Sequence, residues 1–563
     1  MRQLLILLFL FFSLSPALFS QTSTPIPYQN AVVSSADDYA TRAGLEILQK
    51  GGNAIDAAIA VQFALAVTMP SAGNIGGGGF MVIRLANGDV RALDFREMAP
   101  ANASRDMFLD DEGNYISDKS RIGGLASGVP GTVDGMISAL ERYGTLPLEI
   151  IMEPAIRLAN GGFRLKHSHA VSLNNHRERL AQFEESARIF VRHDGSDWRK
   201  GQLFIQSDLA ETLERIARQG RDGFYSGINA RLLVQELQRQ GGVMTLRDLR
   251  NYSSAWRDPI QAEYKGHTFY MMPPPSSGGV VMKQVLGMIG ELDSGETGVN
   301  SSAYIHLLSE AFRRSFSDRN YYLGDPEFAS IPLDTLLSTS YLQRRFSTFN
   351  ADTATPSEEI GHGMIAGYSE PEETTHFSVI DRDGNAVAVT TTLNGSYGSY
   401  VTVSGAGYLL NNEMDDFSAK PGEPNMFGLI GAEANAIEPN KRMLSSMSPT
   451  IVTKGGDVRL IAGGAGGPRI ITATLQNILN VIEHGMNVNQ AILTPRFHHQ
   501  WLPDRIDIET FSFSDDTQSN LRQKGHQLRE IQNMARIHLI LVDEDGIKTG
   551  AADPRGDGSV KGY

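Results

Sequence analysis

The stretch from Ala36 to Gln49 reads as a helix ended by Gly51-Gly52, and a second run from Ala54 to Val67 is dense in Ala, Ile and Val. Glycine tolerates the left-handed conformation at a helix end, so these runs predict two packed helices. Gly76 to Gly79 then lead into Phe80–Leu85, and an Asn87-Gly88 turn leads back through Val90 to Phe95, the pattern of a β-hairpin. From about Ser127 to Phe346 the patterns are mostly helical, as in Thr132–Arg142, Ser207–Arg218 and Ser301–Arg314, which predicts a cover over strands. A loose polar stretch, Thr348 to Glu373, separates this region from the next. Beyond it come alternating runs on either side of Asp381–Asn385, a short strand at Tyr408–Leu410, a hairpin from Pro449 to Ile461 turning at Gly455-Gly456, and a helix from Pro468 to His484. Helices, then strands joined by short turns, then helices again predict a layered architecture with largely antiparallel sheets.

The N-terminus changes the picture of where the chain works. Met1-Arg2-Gln3 precede an apolar run from Leu4 to Leu14, interrupted by Ser13, and small residues follow up to Gln21. This predicts a secretory signal peptide, residues 1–20, and a periplasmic or secreted product. Cysteine is absent from all 563 residues, so neither disulfides nor thiolate chemistry contributes. A 41% hydrophobic content is ample for a large core, and a net charge of −14 without basic runs argues against a nucleic-acid partner. A small-molecule or peptide substrate fits better.

Candidate chemistry gathers at five places. Gly463-Gly464-Ala465-Gly466-Gly467-Pro468-Arg469 puts glycine amides before a helix start, where they can face an anion or form only a tight connection. Asn411-Asn412-Glu413-Met414-Asp415-Asp416-Phe417 places Glu413 and Asp416 three apart, able to converge on an ammonium; an exposed acidic loop or a calcium site is the alternative. Ser445-Ser446 precede a strand and suit a carboxylate or a plain turn. Arg96 ends a buried-looking strand and can grip a carboxylate or pair with Asp94 or Glu97. No metal is expected: His169 and His176 stand ~10 Å apart along a helix axis, and His498-His499 lack a spaced third ligand.

The fifth place is Thr374, which follows the acidic segment Glu370-Pro371-Glu372-Glu373 and opens a hairpin. A threonine hydroxyl needs an adjacent base, and a threonine at a chain start carries one in its own α-amine, which titrates near ~8. A cut between Glu373 and Thr374 would create that amine.

Together these segments, with Gly76–Met81, Asp94–Pro100, Met272–Gly279, Thr374–His376 and Asn440–Thr450, resemble the γ-glutamyltranspeptidase family of N-terminal nucleophile hydrolases. The resemblance implies an α+β fold, a four-layer αββα sandwich. It implies a precursor that cuts itself into a large subunit, residues 21–373, and a small one, residues 374–563, which remain a heterodimer. It implies no cofactor. Thr374 would be the nucleophile and Thr392 the support of its amine. Asn394, Glu413 and Asp416 would hold a substrate α-ammonium, Arg96, Ser445 and Ser446 its α-carboxylate, and Gly466 and Gly467 the oxyanion. The implied substrates are glutathione and other γ-glutamyl compounds, with water, amino acids or dipeptides as acceptors. Phe427 stands where the family's lid commonly has tyrosine, which predicts an aromatic cover without a hydrogen bond and hence a looser lid.

Overall fold

The structure, a computed structural model, describes residues 24–290, 297–361, 374–420, 422–423, 425–426, 429 and 431–563. The segment predicted to be a signal peptide, Glu373 and Phe427 lie outside the described residues. Among the described residues no helix is long and apolar enough to cross a membrane.

Two seven-stranded sheets dominate, every pairing within them antiparallel. In the first, Thr375–Ile380 and Ala386–Thr392 lie at the centre, flanked by Val32–Ser35 on one side and Gly78–Arg84 on the other. In the second, Thr450–Lys454 and Asp457–Ala465 form the predicted hairpin, joined to His267–Met271 and Arg536–Val542. Gly455 and Gly456 turn it with φ of 62° and 96°, both in the left-handed region that a two-residue hairpin loop requires.

Period-2 alternation sorts side chains into three layers. Phe377, Val379, Val387 and Val389 face a helical layer built on Asp38–Gln49 and Ala54–Thr68. Ile380, Ala386, Ala388 and Val82 instead meet Ile451, Ile461 and Ile540 between the sheets. Val452, Leu460, Ala462, Ile537 and Leu539 pack outward against helices including Gly278–Ile289, Ser302–Tyr322 and Arg469–Ile482. The result is the four-layer αββα sandwich. Helix Ala54–Thr68 is buried along its whole length, as its predominantly apolar sequence favours, and starts with a capping box between Asn53 and Asp56.

The strand expected at Tyr408–Leu410 does not form. Leu409 makes a single bridge to Thr402, and the chain turns tightly through Gly405 and Gly407, leaving too short a ladder to extend.

Candidate active site

Alternation along Thr375–Ile380 places even-numbered residues between the sheets, so Thr374, immediately before the strand, continues the face of His376 and Ser378. The register pairing Thr375 with Thr391 sets Thr374 opposite Thr392. Of the adjacent threonines only Thr374 lines the cavity that also contains Arg96, Thr392, Asn394, Glu413, Asp416, Ser445, Ser446 and Gly467. Thr375 lies on the opposite face of the strand, and its buried Oγ1 has no partner among the described residues.

Segments far apart in sequence converge there for local reasons. Thr392 ends the second strand of the hairpin, and its Oγ1 accepts a 2.7 Å bond from the Asn394 amide. Asn394 adopts φ of 73°, unusual for a non-glycine, and its Nδ2 donates to the Asn412 carbonyl at 3.1 Å. Glu413–Asp416 form one turn of 3₁₀ helix. Asn411 anchors that turn, donating to the carbonyls of Gly76 and Gly128 and accepting from the amides of Gly128 and Glu413.

The three acids of the turn separate by role. Asp415 points away to accept from Tyr115 Oη at 2.8 Å and from Ser120, and it receives the Met426 amide at 3.0 Å. Glu413 and Asp416 converge, as their spacing predicted, and both meet Arg96, one on each terminal nitrogen. Arg96 is fully buried, with Nη1 also 3.5 Å from Glu97 and with further bonds to the carbonyls of Met443 and Leu444. The expected carboxylate grip and ammonium grip are therefore one ion cluster, and its arginine pairs with Glu97 as well.

Charge in this cluster is unbalanced: the buried Glu97 and Glu413 and the largely buried Asp416 surround one guanidinium. Burial pushes the Glu97 carboxyl up to about 7 and that of Asp416 up to about 6 against the pull of Arg96, and it raises Glu413 well above the usual range. Among the described residues Glu413 Oε2 and Glu97 Oε1 have no donor. A cation with N–H groups would correct both the charge and the missing bonds.

Gly466 and Gly467 bridge the end of strand Asp457–Ala465 and helix Arg469–Ile482, with φ of 139° and 53°. Their carbonyls accept from Arg469 and Ile470, which begins the helix and turns its N-terminus toward the cavity lined by Gly467. Ser445 and Ser446 are held by Met272–Gly279, a motif whose role the sequence left unassigned. Ser277 gives both its amide and its hydroxyl to the Ser445 carbonyl, each at 2.7 Å, and Ser276 Oγ donates to the Met447 carbonyl at 2.7 Å.

Residues that sequence reasoning passed over include Arg319, also in the cavity lining, and Asn411, quoted in its motif without a role. Nothing in the sequence around His376 marks its role. Its Nδ1 pairs with Thr390 Oγ1 at 2.8 Å and its Nε2 with Ser378 Oγ at 3.1 Å. The histidines weighed as metal ligands have protein partners instead: His169 lies near Asp37, His498 Nδ1 meets Thr472 Oγ1, and His499 lies between Arg313 and Asp504. One His-Glu-His cluster does occur, His306, Glu310 and His526, but Glu310 is engaged by both Arg313 and Arg314.

Comparison with known proteins decides among the uses of such a site. A family model described as Gamma-glutamyltranspeptidase matches residues 40–563. The chain belongs to that family. It is 47% identical over 540 residues to the glutathione hydrolase proenzyme of Escherichia coli, covering 96% of this chain and 93% of that one. It is 36% identical to the proenzyme of Bacillus subtilis, over 95% and 92% of the two chains. Among solved structures, the family's Helicobacter pylori γ-glutamyltranspeptidase aligns at 42% identity and TM-score 0.58, covering 62% of this chain and 99% of its own. A cephalosporin acylase from Bacillus halodurans aligns at 25% identity and TM-score 0.84 over 98% of both chains.

Proposed function

We propose that this protein is a γ-glutamyltranspeptidase and glutathione hydrolase that matures by cutting itself between Glu373 and Thr374. The observation carrying this reading is the meeting, in one cavity, of Thr374 with an acid-rich cluster, two serines and the glycine turn. The Helicobacter pylori chain, aligned over almost its full length, accounts for close to the share of this chain that residues 21–373 make up, which supports division at that point.

Thr374 first attacks the Glu373 carbonyl carbon through its Oγ, and the bond to its own nitrogen breaks, leaving an ester. Water cleaves the ester, giving a Glu373 carboxylate and a Thr374 amine. In the mature enzyme the amine takes the Oγ proton as Oγ attacks the γ-amide carbon of the donor. Gly466 and Gly467 amides stabilise the oxyanion, and the leaving amine departs protonated. Thr392 holds the Thr374 amine in place. The remaining γ-glutamyl ester passes to water, releasing glutamate, or to the amine of an amino acid or dipeptide, forming a new γ-glutamyl peptide.

The donor's zwitterionic head explains the pocket's composition. Glu413 and Asp416, with Asn394, take the α-ammonium; Arg96, Ser445 and Ser446 take the α-carboxylate. A periplasmic or secreted location accompanies this reading, after removal of residues 1–20.

Purified protein should run as two bands on a denaturing gel, with the smaller beginning at Thr374 by mass spectrometry. Thr374→Ala should run as one band and lose activity roughly 10³-fold or more. A single intact band from an active wild-type protein would overturn the mechanism. The likeness to the cephalosporin acylase raises a second reading, an acylase for glutaryl side chains. Such a substrate has no α-ammonium for the excess carboxylates, so γ-glutamyl anilide should be cleaved far faster than glutaryl anilide; the reverse order would favour the acylase.

A further inference from the structure

Arg319, in the last turn of helix Ser302–Tyr322, is buried and lines the same cavity. Unlike Arg96, it has no carboxylate within ion-pairing distance among the described residues. Its Nε donates to Ser277 Oγ at 3.0 Å, its Nη1 to Asn320 Oδ1 at 2.9 Å and its Nη2 to Ser446 Oγ at 3.2 Å. Burial pulls its pKa down to about 10, against a smaller upward pull from Asp416. A buried guanidinium bonded only to neutral oxygens is costly to keep, which marks it as serving the site.

Hydrogen-bond polarity shows how. A guanidinium donates and never accepts, so Ser446 Oγ must be the acceptor. The Ser446 hydroxyl proton then has no protein acceptor among the described residues. Ser445 is set in the same way, since its Oγ accepts the Met447 amide at 3.1 Å. Both hydroxyls thus have an acceptor site filled from behind and a proton left for the cavity that both residues line. Two aligned O–H donors backed by an uncompensated positive charge form a ready-made receptor for a carboxylate.

We propose that Arg319 is a positioning residue of the donor site, orienting the Ser446 hydroxyl toward the substrate α-carboxylate beside the grip expected of Arg96. This rests on the γ-glutamyl reading of the cavity and assigns part of its carboxylate specificity to a residue outside the expected set. Ser277 and Asn320 hold the guanidinium flat behind Ser446, which also gives the Met272–Gly279 motif a purpose.

The test compares γ-glutamyl anilide with γ-aminobutyryl anilide, which keeps an amine but lacks the α-carboxylate. Arg319→Met should lower the ratio of kcat/KM between the two about 10-fold, through KM of the γ-glutamyl substrate, the size expected for a lost charge-assisted bond. Ser446→Ala should lower the same ratio, and the double variant should fall no further than the weaker single one. An unchanged ratio, with both substrates losing equally, or multiplicative losses in the double variant would overturn the assignment. Cleavage into two bands reports correct folding of each variant. If Arg319→Met does not fold, Arg319→Gln replaces it with the same expectation, and failure of both to fold would make Arg319 a structural residue and overturn the proposal. A wild-type protein that cleaves neither anilide would instead refute the γ-glutamyl reading itself.

Discussion

A Cβ added at Gly463 would lie 2.3 Å from Cε1 of His376, so the strand leading to the proposed oxyanion turn is in direct contact with the imidazole two residues after the proposed nucleophile. Gly463→Ala should therefore cost about 1–3 kcal/mol in chemical denaturation and lower kcat as the turn shifts. Wild-type stability and activity in this variant would deny the contact. Asp416 gives a pH prediction. In the proposed role its ionised form holds the substrate ammonium, and its carboxyl sits at about 6, so kcat/KM should fall as pH drops below about 6. Asp416→Asn should remove that limb of the profile and raise KM by ~30-fold, about 2 kcal/mol. The linked stability runs the other way. Because folding raises the carboxyls of Asp416 and Glu97, the native state holds more protons between about 4 and 7, and these two groups stabilise it less as pH rises through that window. At this scale the sequence made the spacing of Glu413 and Asp416 legible, because three residues make one turn. It could not show that both would land on Arg96, or that Arg319 would stand behind Ser446, since those contacts depend on long-range packing.

Helix Ser302–Tyr322 meets the turn that follows helix Asp515–Gln523 through a histidine pair, which gives a second pH dependence. His306 Nε2 donates to the Asn350 carbonyl at 2.8 Å, which leaves its Nδ1 to accept from His526 Nε2 at 2.7 Å. Protonating either ring through its remaining nitrogen, or turning N–H against N–H, breaks this arrangement or places charge beside Arg313. Burial, with Arg313, His499 and His306 adding to it, takes His526 down to about 2, and burial lowers His306 too. Groups lowered in this way stabilise the fold above the usual histidine range, near ~6.5, and lose that contribution as pH falls below it. Tm should accordingly decline between pH 7 and 5, and His526→Gln should flatten the decline; an identical slope in the variant would count against the pair. Element types were well signalled where pattern and cap agreed, as at Asn53 with its capping box or at Gly455-Gly456. The missing strand at Tyr408–Leu410 shows the converse: three apolar residues indicate burial, and only the neighbouring chain decides whether burial comes with a ladder.

Across the whole molecule, the proposed cut is a boundary in sequence and not in space. The first sheet interleaves Val32–Ser35, Gly78–Arg84 and Val90–Phe95 from before Thr374 with Thr375–Ile380, Ala386–Thr392 and Ser559–Gly562 from after it. The second mixes Ile260–Tyr264 and His267–Met271 with Thr450–Lys454, Asp457–Ala465, Arg536–Val542 and Lys548–Ala552. The cleaved pieces should co-elute in size-exclusion chromatography and separate only as ladders in both sheets break, in one denaturant transition. Separation of a folded large piece under native conditions would contradict this. The layered class was readable from the order of helical and strand patterns; this interleaving was not, because strand neighbours are chosen by topology.

Interleaved strands also give the molecule a direction in time. Before the cut, folding is a first-order search by one chain, and Thr374→Ala should refold from denaturant at a rate independent of concentration. After it, the same sheets must be rebuilt by encounter of two partners, so recovery becomes second-order and fails on dilution. The proposed scission would thus turn a reversible equilibrium into a history: each active molecule would have assembled once, with the route by which it did so closed behind it.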